Sequence, residues 1–286
     1  MIYVAGSLNM DLVVSSAYMP QTGETLCGNG FFTNCGGKGA NQAVAAAKLG
    51  GKVAMCGVVG NDVFGKTLAE SLQNVGIDAS CVHVAGDTNS GVAVIVVVNG
   101  DNRIVLDSGA NGKLTKQMID EFLKNASQED IYITQLENPI DVVGYGLQLA
   151  KKKGMTVVLN PAPANKGVLP YLQYVDLLVP NETELALLGG YETLFGCGVK
   201  KIVATLGGNG YEICTSAERK RYSCGKVKVV DTTAAGDTFC GGMAVGLSEG
   251  MTLEQACALG STAATLACTK KGAQQSMPLR SDVALG

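Results

Sequence analysis

The sequence predicts an α/β fold in which helices cover both faces of a mostly parallel β-sheet, with a smaller β-sheet projecting from this body. Short apolar runs alternate with helical patterns for most of the 286 residues, which is typical of a parallel sheet buried on both faces. Hydrophobic residues make up 47% of the chain, enough for a large core. Two regions of strand-like alternation interrupt this rhythm and indicate the second sheet.

Six apolar runs and the helical patterns between them predict the body. The expected strands are 2–5 (IYVA), 52–59 (KVAMCGVV), 130–134 (DIYIT), 155–159 (MTVVL), 175–179 (VDLLV) and 201–205 (KIVAT). The expected helices cover 39–50 (GANQAVAAAKLG), 68–76 (LAESLQNVG) and 140–153, where apolar residues recur at helical spacing.

The interrupting regions predict a small sheet of antiparallel strands. DLVVSS (11–16) and ETLCGNGFFT (24–33) supply two strands, and GVAVIVVVNGDNRIVLDSG (91–109) has two strand-like halves around an NGDN turn. We predict one domain over residues 1–286, with strands from about 11–33 and 91–109 forming this inserted sheet.

Charge and cysteine usage exclude several classes of protein. Twenty-two basic and 25 acidic residues give a net charge of −3, so the basic footprint of a nucleic-acid or membrane-surface protein is missing. Ten cysteines without a CxxC pair, together with one histidine, make a zinc site improbable and fit a reducing compartment. The start of the chain lacks the features of a signal peptide, and no apolar run reaches the length of a membrane span. We therefore expect a cytoplasmic protein.

GNDVFGKT (60–67) matches the phosphate-binding P-loop pattern at every fixed position. An apolar run precedes it and a helical pattern follows, as a P-loop requires. On this pattern alone, Lys66 and Thr67 are candidates for nucleotide binding. The bulky Val63 and Phe64 argue against a compact phosphate cradle, so a coincidental match is the alternative.

VVDTTAAGDTFCGGMAVG (229–246) is the strongest candidate for chemistry. A strand end leads into the small residues Ala234, Ala235 and Gly236, and then into a helix with Asp237 in its first turn. Small residues let backbone amides converge on an anion, and the start of a helix adds positive potential. Asp237 can then serve as a proton acceptor for an attacking hydroxyl, or it can simply cap the helix.

Two further stretches place polar groups where a sugar could bind. In NCGGKGANQ, closely spaced glycines precede a helix that carries Lys38, Asn41 and Gln42 in its opening turn. In GSLNMD, Asn9 and Asp11 are two residues apart, so an extended chain turns both to one side. An amide and a carboxylate on one face can bind adjacent hydroxyls, although such pairs also cap turns and strand ends.

In combination, these motifs identify the chain as similar to the ribokinase-like (phosphofructokinase-B) family of carbohydrate kinases. The resemblance runs in order over nearly the whole chain. It rests on GSLNMD, PQTGETLCG, GGKGANQAVAAAKLG, TNSGVAVIVV, QLENP, LNPAPA, PNETE, TLGGNG, DTTAAGDTF and TKKGAQQS. The connection between PNETE and TLGGNG is shorter than is usual in this family.

The resemblance implies a three-layer α/β/α body and an activity. It implies that ATP phosphorylates the 5-hydroxyl of D-ribose, with Asp237 as base and the amides of Ala234, Ala235 and Gly236 as an anion hole. The implied sugar-binding residues are Asn9, Asp11, Gly37, Lys38, Gly39, Asn41, Glu137 and Asp237. It also implies that GNDVFGKT is a strand-to-helix bend without a role in phosphate binding.

The same resemblance implies a nucleotide site, metal ions and a dimer. The implied ATP-binding residues are Asn181, Thr205, Gly207, Gly208, Gly210, Gly236 and Ser261, with Asn181 and Glu184 associated with Mg²⁺. The implied site for a monovalent cation, K⁺, consists of Asp231, Thr233, Ala267, Lys270, Gly272 and Ser276. The small sheet would act as a lid over the sugar and would pair with a second lid in a homodimer. A kinase for another sugar or a nucleoside, or a non-catalytic sugar-binding protein, stays open as an alternative.

Overall fold

A computed structural model describes residues 1–283, so the last three residues of the predicted domain, 284–286, lie outside the described range. The strands are β1 (Ile2–Ala5), β2 (Asn9–Ser16), β3 (Asn29–Gly36), β4 (Val53–Gly60), β5 (Asp78–Ala85), β6 (Gly91–Val98), β7 (Asp101–Asp107), β8 (Ile131–Thr134), β9 (Thr156–Leu159), β10 (Leu177–Leu178), β11 (Lys201–Thr205), β12 (Tyr211–Cys214) and β13 (Arg219–Tyr222). The α-helices are α1 (Lys38–Lys48), α2 (Val63–Asn74), α3 (Lys116–Phe122), α4 (Ile140–Lys152), α5 (Glu182–Leu187), α6 (Gly190–Gly196), α7 (Ala235–Ser248) and α8 (Leu253–Ala267).

The main sheet has nine strands in the described range, in the order β13-β12-β11-β10-β9-β8-β1-β4-β5. The strands from β11 to β5 in this order run parallel, whereas β12 and β13 pair antiparallel at one edge. All six predicted apolar runs contribute strands to this sheet, although the fifth is reduced to the two residues of β10. The prediction omitted β5, β12 and β13, and α5 and α6 fill the short connection after PNETE.

The second sheet, which we call the lid, has the order β3-β2-β6-β7. β2 pairs antiparallel with β3, and β6 pairs antiparallel with β7 through a turn at Asn99 and Gly100, both of which have positive φ. The expectation of only antiparallel strands is wrong at the centre, because β2 runs parallel to β6. This arrangement is possible because the chain leaves the lid after β3, forms β4 and β5 of the main sheet, and only then returns to the lid as β6. The first predicted strand pair also shifts, since β3 begins at Asn29 and not at Glu24.

Two cores lie on opposite faces of the main sheet. Alternation along β1 divides its side chains between them, with Ile2 and Val4 in one core and Tyr3 and Ala5 in the other. Helices α1, α7 and α8 pack in the first core, while α3 and α4 pack in the second. This gives the three layers expected of an α/β/α body. No helix within residues 1–283 is long and apolar enough to cross a membrane.

GNDVFGKT forms the end of β4 and the first turns of α2. The Asp62 carboxylate caps this helix by accepting a hydrogen bond from the Gly65 amide at 2.7 Å, and it also accepts bonds from the Ser90 amide and hydroxyl at 2.7 Å each. Lys66 projects outward with a side chain 77% exposed. A carboxylate therefore occupies the position in which a P-loop would hold a phosphate, and the P-loop hypothesis is wrong for geometric reasons.

We predict opposite outcomes for two substitutions in this bend. Lys66→Ala should change the free energy of unfolding by no more than about 0.5 kcal/mol, because it removes only an exposed side chain. Asp62→Ala should cost about 1–2 kcal/mol or more, because it removes the helix cap and the acceptor of two bonds from Ser90. Urea denaturation of both variants provides the measurement, and equal effects would contradict this account of the bend.

Candidate active site

The buried carboxylate of Asp237 forms the floor of a pocket at the carboxyl ends of the central strands. It accepts a hydrogen bond at each oxygen, from Asn41 Nδ2 to Oδ2 at 3.0 Å and from Gln42 Nε2 to Oδ1 at 3.0 Å. Only 6% of Asp237 is exposed. The residue lies in the first turn of α7, but its carboxylate bonds to side chains of α1 and does not cap its own helix. The alternative of a simple helix cap is therefore wrong.

The start of α7 is open to an incoming anion. No side chain caps it, and its N-cap residue, Ala234, adopts a left-handed conformation with φ of 58°. The Ala235 amide donates to the Thr232 carbonyl at 3.2 Å, whereas the amides of Gly236 and Asp237 have no acceptor among residues 1–283. Of the three predicted anion-hole amides, that of Ala235 is thus already engaged, whereas those of Ala234 and Gly236 have no acceptor in the described part of the chain.

The pocket above these amides has a volume of about 210 Å³. Its walls come from the ends of β9, β10 and β11 and from the starts of α1, α5 and α7. The lining residues are Lys38, Asn160, Ala162, Val179, Asn181, Glu184, Thr205, Thr232, Ala234, Ala235, Gly236, Asp237 and Cys240. The structure thus brings predicted base, anion-hole, metal and nucleotide residues together in one cavity.

Asn9 and Asp11 lie on β2 at the base of the lid, and both are buried. Asn9 Oδ1 accepts a hydrogen bond from Asn111 Nδ2 at 2.7 Å, which fixes the orientation of its amide. A Cβ atom at Gly36 would come within 2.7 Å of the Asp11 carboxylate carbon, so only glycine leaves room for this side chain. Gly37, with φ of 87°, lies against the backbone of residues 7–9 in the same close packing.

Glu137 connects the start of α1 to Ser7, in the loop between β1 and β2. Its carboxylate accepts hydrogen bonds from the Lys38 amide at 3.1 Å and from the Ser7 hydroxyl. The Ser7 hydroxyl in turn accepts a bond from the Gly39 amide at 3.3 Å. A Cβ atom at Gly39 would meet the Gly6 backbone at 2.6 Å, so this contact requires glycine. Glu137 thus holds the glycine-rich turn in place.

Acidic groups outnumber cations in the site. Burial, with the nearby charges of Glu137 and Asp237, raises the pKa of Asp11 to about 7. Burial also raises the pKa of Glu184. Although burial opposes its charge, the carboxylates around Lys38, that of Asp237 first, raise the pKa of the ammonium group. Lys38 is therefore a cation held among carboxylates.

Asn181 and Glu184 form a capping box at the start of α5. Asn181 Oδ1 accepts from the Glu184 amide at 2.8 Å, and Glu184 Oε2 accepts from the Asn181 amide at 2.9 Å. Thr205 pairs with Asn181 as an isolated β-bridge, which brings the end of β11 to the same wall of the pocket. The other oxygen of Glu184 has no partner among residues 1–283.

The remaining predicted nucleotide residues lie beyond this pocket. Gly207 and Gly210, with φ of 54° and 93°, shape the turn between β11 and β12. Cys224 Sγ lies 3.3 Å from the Gly208 carbonyl oxygen, so the chain after β13 covers this turn. Ser261 is on α8 and does not line the pocket. Its carbonyl accepts from the Thr265 hydroxyl at 2.8 Å, and Thr265 faces the residue after Cys224.

Asp231 ties the loop before α7 to the chain after α8. Its carboxylate accepts hydrogen bonds from the Thr233 amide at 2.9 Å, the Thr233 hydroxyl at 2.6 Å and the Gly272 amide at 3.0 Å. Although burial opposes its charge, these bonds hold the pKa of Asp231 below its usual value. The Ala267 carbonyl accepts from the Lys270 amide at 3.1 Å, and buried Ser276 donates to the Ala273 carbonyl at 2.8 Å.

Sequence reasoning missed most of the polar residues that support the site from behind, and it placed Gln42 at the start of the helix without giving it a role. Gln42, Gln135, Asn160 and Asn111 are all buried and hydrogen-bonded to site residues or to one another. Three of them fall inside quoted motifs, GGKGANQ, QLENP and LNPAPA, but only the fold shows that these motifs meet. Asn111 has no such signal, since NGK resembles an ordinary turn.

The geometry defines a class of protein: an α/β/α enzyme that places a buried carboxylate beside an open helix start, as phosphoryl transfer to a hydroxyl requires. The chain matches the family described as "pfkB family carbohydrate kinase" over residues 1–280. It belongs to this family of carbohydrate kinases.

Named relatives agree with this assignment. The chain is 39% identical to a ribokinase of Haemophilus influenzae, with 98% of this chain and 95% of the relative covered. It is 36% identical to a deoxyribokinase of Salmonella typhi, with 97% and 95% covered. The structure of Arabidopsis thaliana ribokinase complexed with ribose and ATP is similar with a TM-score of 0.86 at 32% identity, and 98% of this chain and 96% of that chain are covered.

The raised pKa of Asp11 predicts a pH-dependent stability. A carboxyl group with a pKa near 7 in the folded state and about 3.9 in the unfolded state stabilises the fold fully below about pH 4, and this contribution is lost as the pH rises through about 7. Between pH 5 and 8, the wild type should therefore lose about 1–3 kcal/mol relative to Asp11→Asn. Urea denaturation of both proteins across this range is the measurement, and parallel pH profiles would contradict the prediction.

Proposed function

We propose that this kinase transfers the γ-phosphate of ATP to the 5-hydroxyl of D-ribose. The observation that carries the proposal is the buried Asp237 carboxylate, bonded to Asn41 and Gln42 and adjacent to the open start of α7. The similarity to ribokinases supports ribose as the acceptor. A deoxyribose kinase is the second candidate, because a deoxyribokinase is nearly as similar to this chain.

Asp237 acts as the base in this proposal. Its carboxylate takes the proton of the sugar hydroxyl as the hydroxyl oxygen attacks phosphorus, which makes the oxygen a better nucleophile. Charge develops on the phosphoryl oxygens at the same time, and the free Gly236 amide and the positive end of α7 stabilise it. The Ala234 and Ala235 residues form the turn that aims these groups, although the Ala235 amide is bonded to Thr232.

The sugar lies between the lid and the start of α1. Asn9 and Asp11 from β2 and Lys38 from α1 supply polar groups of complementary kinds, an acceptor carboxylate, an amide and a cationic donor. Gly37 and Gly39 let the start of α1 pack closely against the backbone of residues 6–9, which brings Lys38 and Asn9 to the same site. Asn41 contacts both the sugar and Asp237, and Glu137 holds the turn that carries Lys38.

ATP occupies the side of the pocket formed by β11 and its turn. Thr205 and Asn181 line the cavity near Asp237. Gly207 and Gly208 leave open space beside the backbone for the nucleotide, while Gly210 packs against the backbone of residues 222–224 and shapes the turn, with Ser261 further along. The free oxygen of Glu184, beside Asn181, fits the preference of Mg²⁺ for oxygen ligands. Bound Mg²⁺ would neutralise phosphate charge that otherwise repels the nucleophile.

The Asp231 loop fits a monovalent cation, K⁺, behind the start of α7. The carboxylate of Asp231 supplies the negative charge, and the carbonyl oxygens of this loop and of the chain after α8 supply neutral ligands. We place the ligands among Asp231, Thr233, Ala267, Lys270, Gly272 and Ser276. A cation there would supply fixed charge that steadies the loop leading into Ala234.

We predict that K⁺ activates the enzyme more than Na⁺ at constant Mg²⁺ and ionic strength, because the larger ion suits carbonyl ligands of a loop. Asp231→Asn should abolish the difference, since it removes the only charge of this ligand set that attracts a cation. Initial rates in the two chloride salts give the comparison. Identical rates for the wild type in both salts would count against a cation site in this loop.

A substrate panel tests the proposed function. The purified protein is incubated with ATP, Mg²⁺ and K⁺ and with ribose, 2-deoxyribose, fructose or inosine, and ADP release is measured together with the mass of the product. We expect kcat/KM to be highest for ribose. A higher value for 2-deoxyribose would favour the second candidate, whereas sugar binding without ADP release would indicate a non-catalytic binding protein.

We predict that Asp237→Asn lowers kcat by at least about 100-fold, because an amide cannot accept the proton. Ribose should still bind, since an amide of the same shape fits between Asn41 and Gln42. A coupled assay gives kcat, and calorimetry on the same preparation gives ribose binding. A variant that retains more than about a tenth of wild-type kcat would remove Asp237 from the role of base.

The lid supports a homodimer of chains that each form one kinase domain with the lid inserted. Large apolar side chains are exposed on the lid: Phe31, Phe32, Val94, Ile104, Val105 and Leu106. Exposed apolar residues in one small sheet commonly mark an interface.

The cysteines support a cytoplasmic location. All ten lie within residues 1–283 and are free thiols, as is usual in a reducing compartment. Fractionation of cells that express the protein would test this location.

We predict that Val105→Lys dissociates this dimer, because it places a charge on the lid face that Val105 shares with its cross-strand partner, the exposed Val94. The matched control is Val63→Lys on α2, since Val63 and Val105 are both 72% exposed. Light scattering after size-exclusion chromatography should give about twice the 29.4 kDa chain mass for the wild type and the control, and a lower mass for Val105→Lys. A monomeric wild type would refute pairing through the lid.

A further inference from the structure

A directional chain of amide side chains ends at the Asp237 carboxylate. Gln42, in α1, is fully buried. Its Nε2 donates to Asp237 Oδ1 at 3.0 Å and to Asn160 Oδ1 at 3.1 Å, while its Oε1 accepts from Gln135 Nε2 at 2.7 Å. Gln42 therefore uses both of its amide hydrogens and its oxygen within the protein.

A backbone carbonyl fixes the direction of this chain. Asn160 Nδ2 donates to the Val179 carbonyl at 2.8 Å, and a carbonyl can only accept. The oxygen of Asn160 must then face Gln42, and Gln42 must offer its NH₂ group. Asp237 Oδ1 consequently faces a donor that cannot be turned round without breaking the two other bonds of Gln42, to Asn160 and Gln135.

The chain is anchored in the rigid centre of the sheet. Gln135, Asn160 and Val179 each follow directly on a strand, β8, β9 and β10 respectively, and these strands are neighbours. Backbone bonds link the same ends, from the Asn160 amide to the Thr134 carbonyl and from the Val179 amide to the Leu159 carbonyl. Gln42 thus holds the Asp237 carboxylate at a fixed position relative to the ends of these three strands.

The second oxygen of Asp237 has a different environment. Asn41 Nδ2 donates to Oδ2 at 3.0 Å, but Asn41 Oδ1 is buried and has no partner among residues 1–283. The Asn41 amide can therefore rotate and present its oxygen to a protonated Oδ2 at little cost. Gln42 cannot do the same for a protonated Oδ1, because turning its amide would set its oxygen against Asn160 Oδ1, whose orientation the Val179 carbonyl fixes.

We propose that Gln42 is a positioning residue that keeps Asp237 ionised before the reaction and directs the transferred proton to Oδ2. This rests on the proposed role of Asp237 as base. In the step, the O–H bond of the sugar breaks, an Oδ2–H bond forms, and the sugar oxygen bonds to phosphorus as the bond from phosphorus to the ADP oxygen breaks. The donor from Gln42 to Oδ1 disfavours a proton on that oxygen throughout.

Two substitutions of Gln42 and one control test the proposal. Gln42→Met removes the donor, and Gln42→Glu preserves the shape, so that it remains informative if the first variant does not fold. Gln148→Met, an exposed glutamine of α4, is the matched control. The readouts are the pH dependence of kcat/KM with ribose and ATP, and a carbon-13 NMR titration of the Asp237 carboxyl, assigned by its loss in Asp237→Asn.

We expect both Gln42 variants to lower kcat/KM at pH 7 by about tenfold or more, as the loss of a hydrogen bond to a charged group predicts. The acidic limb of the pH profile and the midpoint of the carbon-13 titration should both move to higher pH, by about one unit. The KM for ATP should stay unchanged, as should every property of Gln148→Met.

A purely structural role gives a different pattern. If the folded variants lose activity while the pH profile and the carbon-13 midpoint stay at the wild-type positions, the proposal is overturned. The carbon-13 titration requires no substrate, so it decides on Gln42 even if the wild type phosphorylates none of the compounds in the panel. That last result would reject the proposed function and not the role of Gln42.

Discussion

The close contact between α1 and α7 is the constraint on which the site depends. A Cβ atom at Gly241 would lie 2.6 Å from Ala45 Cβ and 2.8 Å from the Gln42 carbonyl oxygen, so the two helices meet nearly backbone to backbone. Gly241 follows Asp237 by one helical turn and lies on the same side of α7. This crossing is what brings the amides of Asn41 and Gln42 to 3.0 Å from the carboxylate.

Close helix packing also requires glycine on the opposite side of α7. Cβ atoms at Gly242 and Gly246 would lie within 2.8 Å of backbone atoms of α8, at Gly260 and Ala256. α7 is consequently enclosed on both sides, and a larger residue at any of these positions would separate the helices and displace Asp237. The helix therefore has little freedom to move, which suits a carboxylate that must stay within bonding distance of two donors.

The sequence predicts the parts of the fold that depend on local pattern. Apolar runs such as IYVA form strands of the main sheet as expected, whereas β5 and β13 were missed because DASCVHVA and RKRY are too polar to stand out. The parallel pairing of β2 with β6 could not be foreseen, since it depends on the chain leaving the lid and returning. In the site, Asp237 and Asn41 were found from their motifs. Gln42 was found beside Asn41, but its role was not, because that role follows from three strand ends that meet only in the fold.

The contrast between two helix starts shows why a motif match and a functional site can differ. At α2, which follows a P-loop-like pattern, the Asp62 carboxylate already satisfies the helix and excludes an anion. At α7, no side chain caps the helix, and the Gly236 amide is left without an acceptor within residues 1–283. Around this opening stand the carboxylates of Asp237 and Glu184, with Lys38 among them. An anionic phosphate can approach such a surface only with cations of its own, because a helix end and one lysine do not balance these carboxylates. The open amides therefore mark the place where an anion is best stabilised, and the excess of negative charge means that added cations would favour its binding.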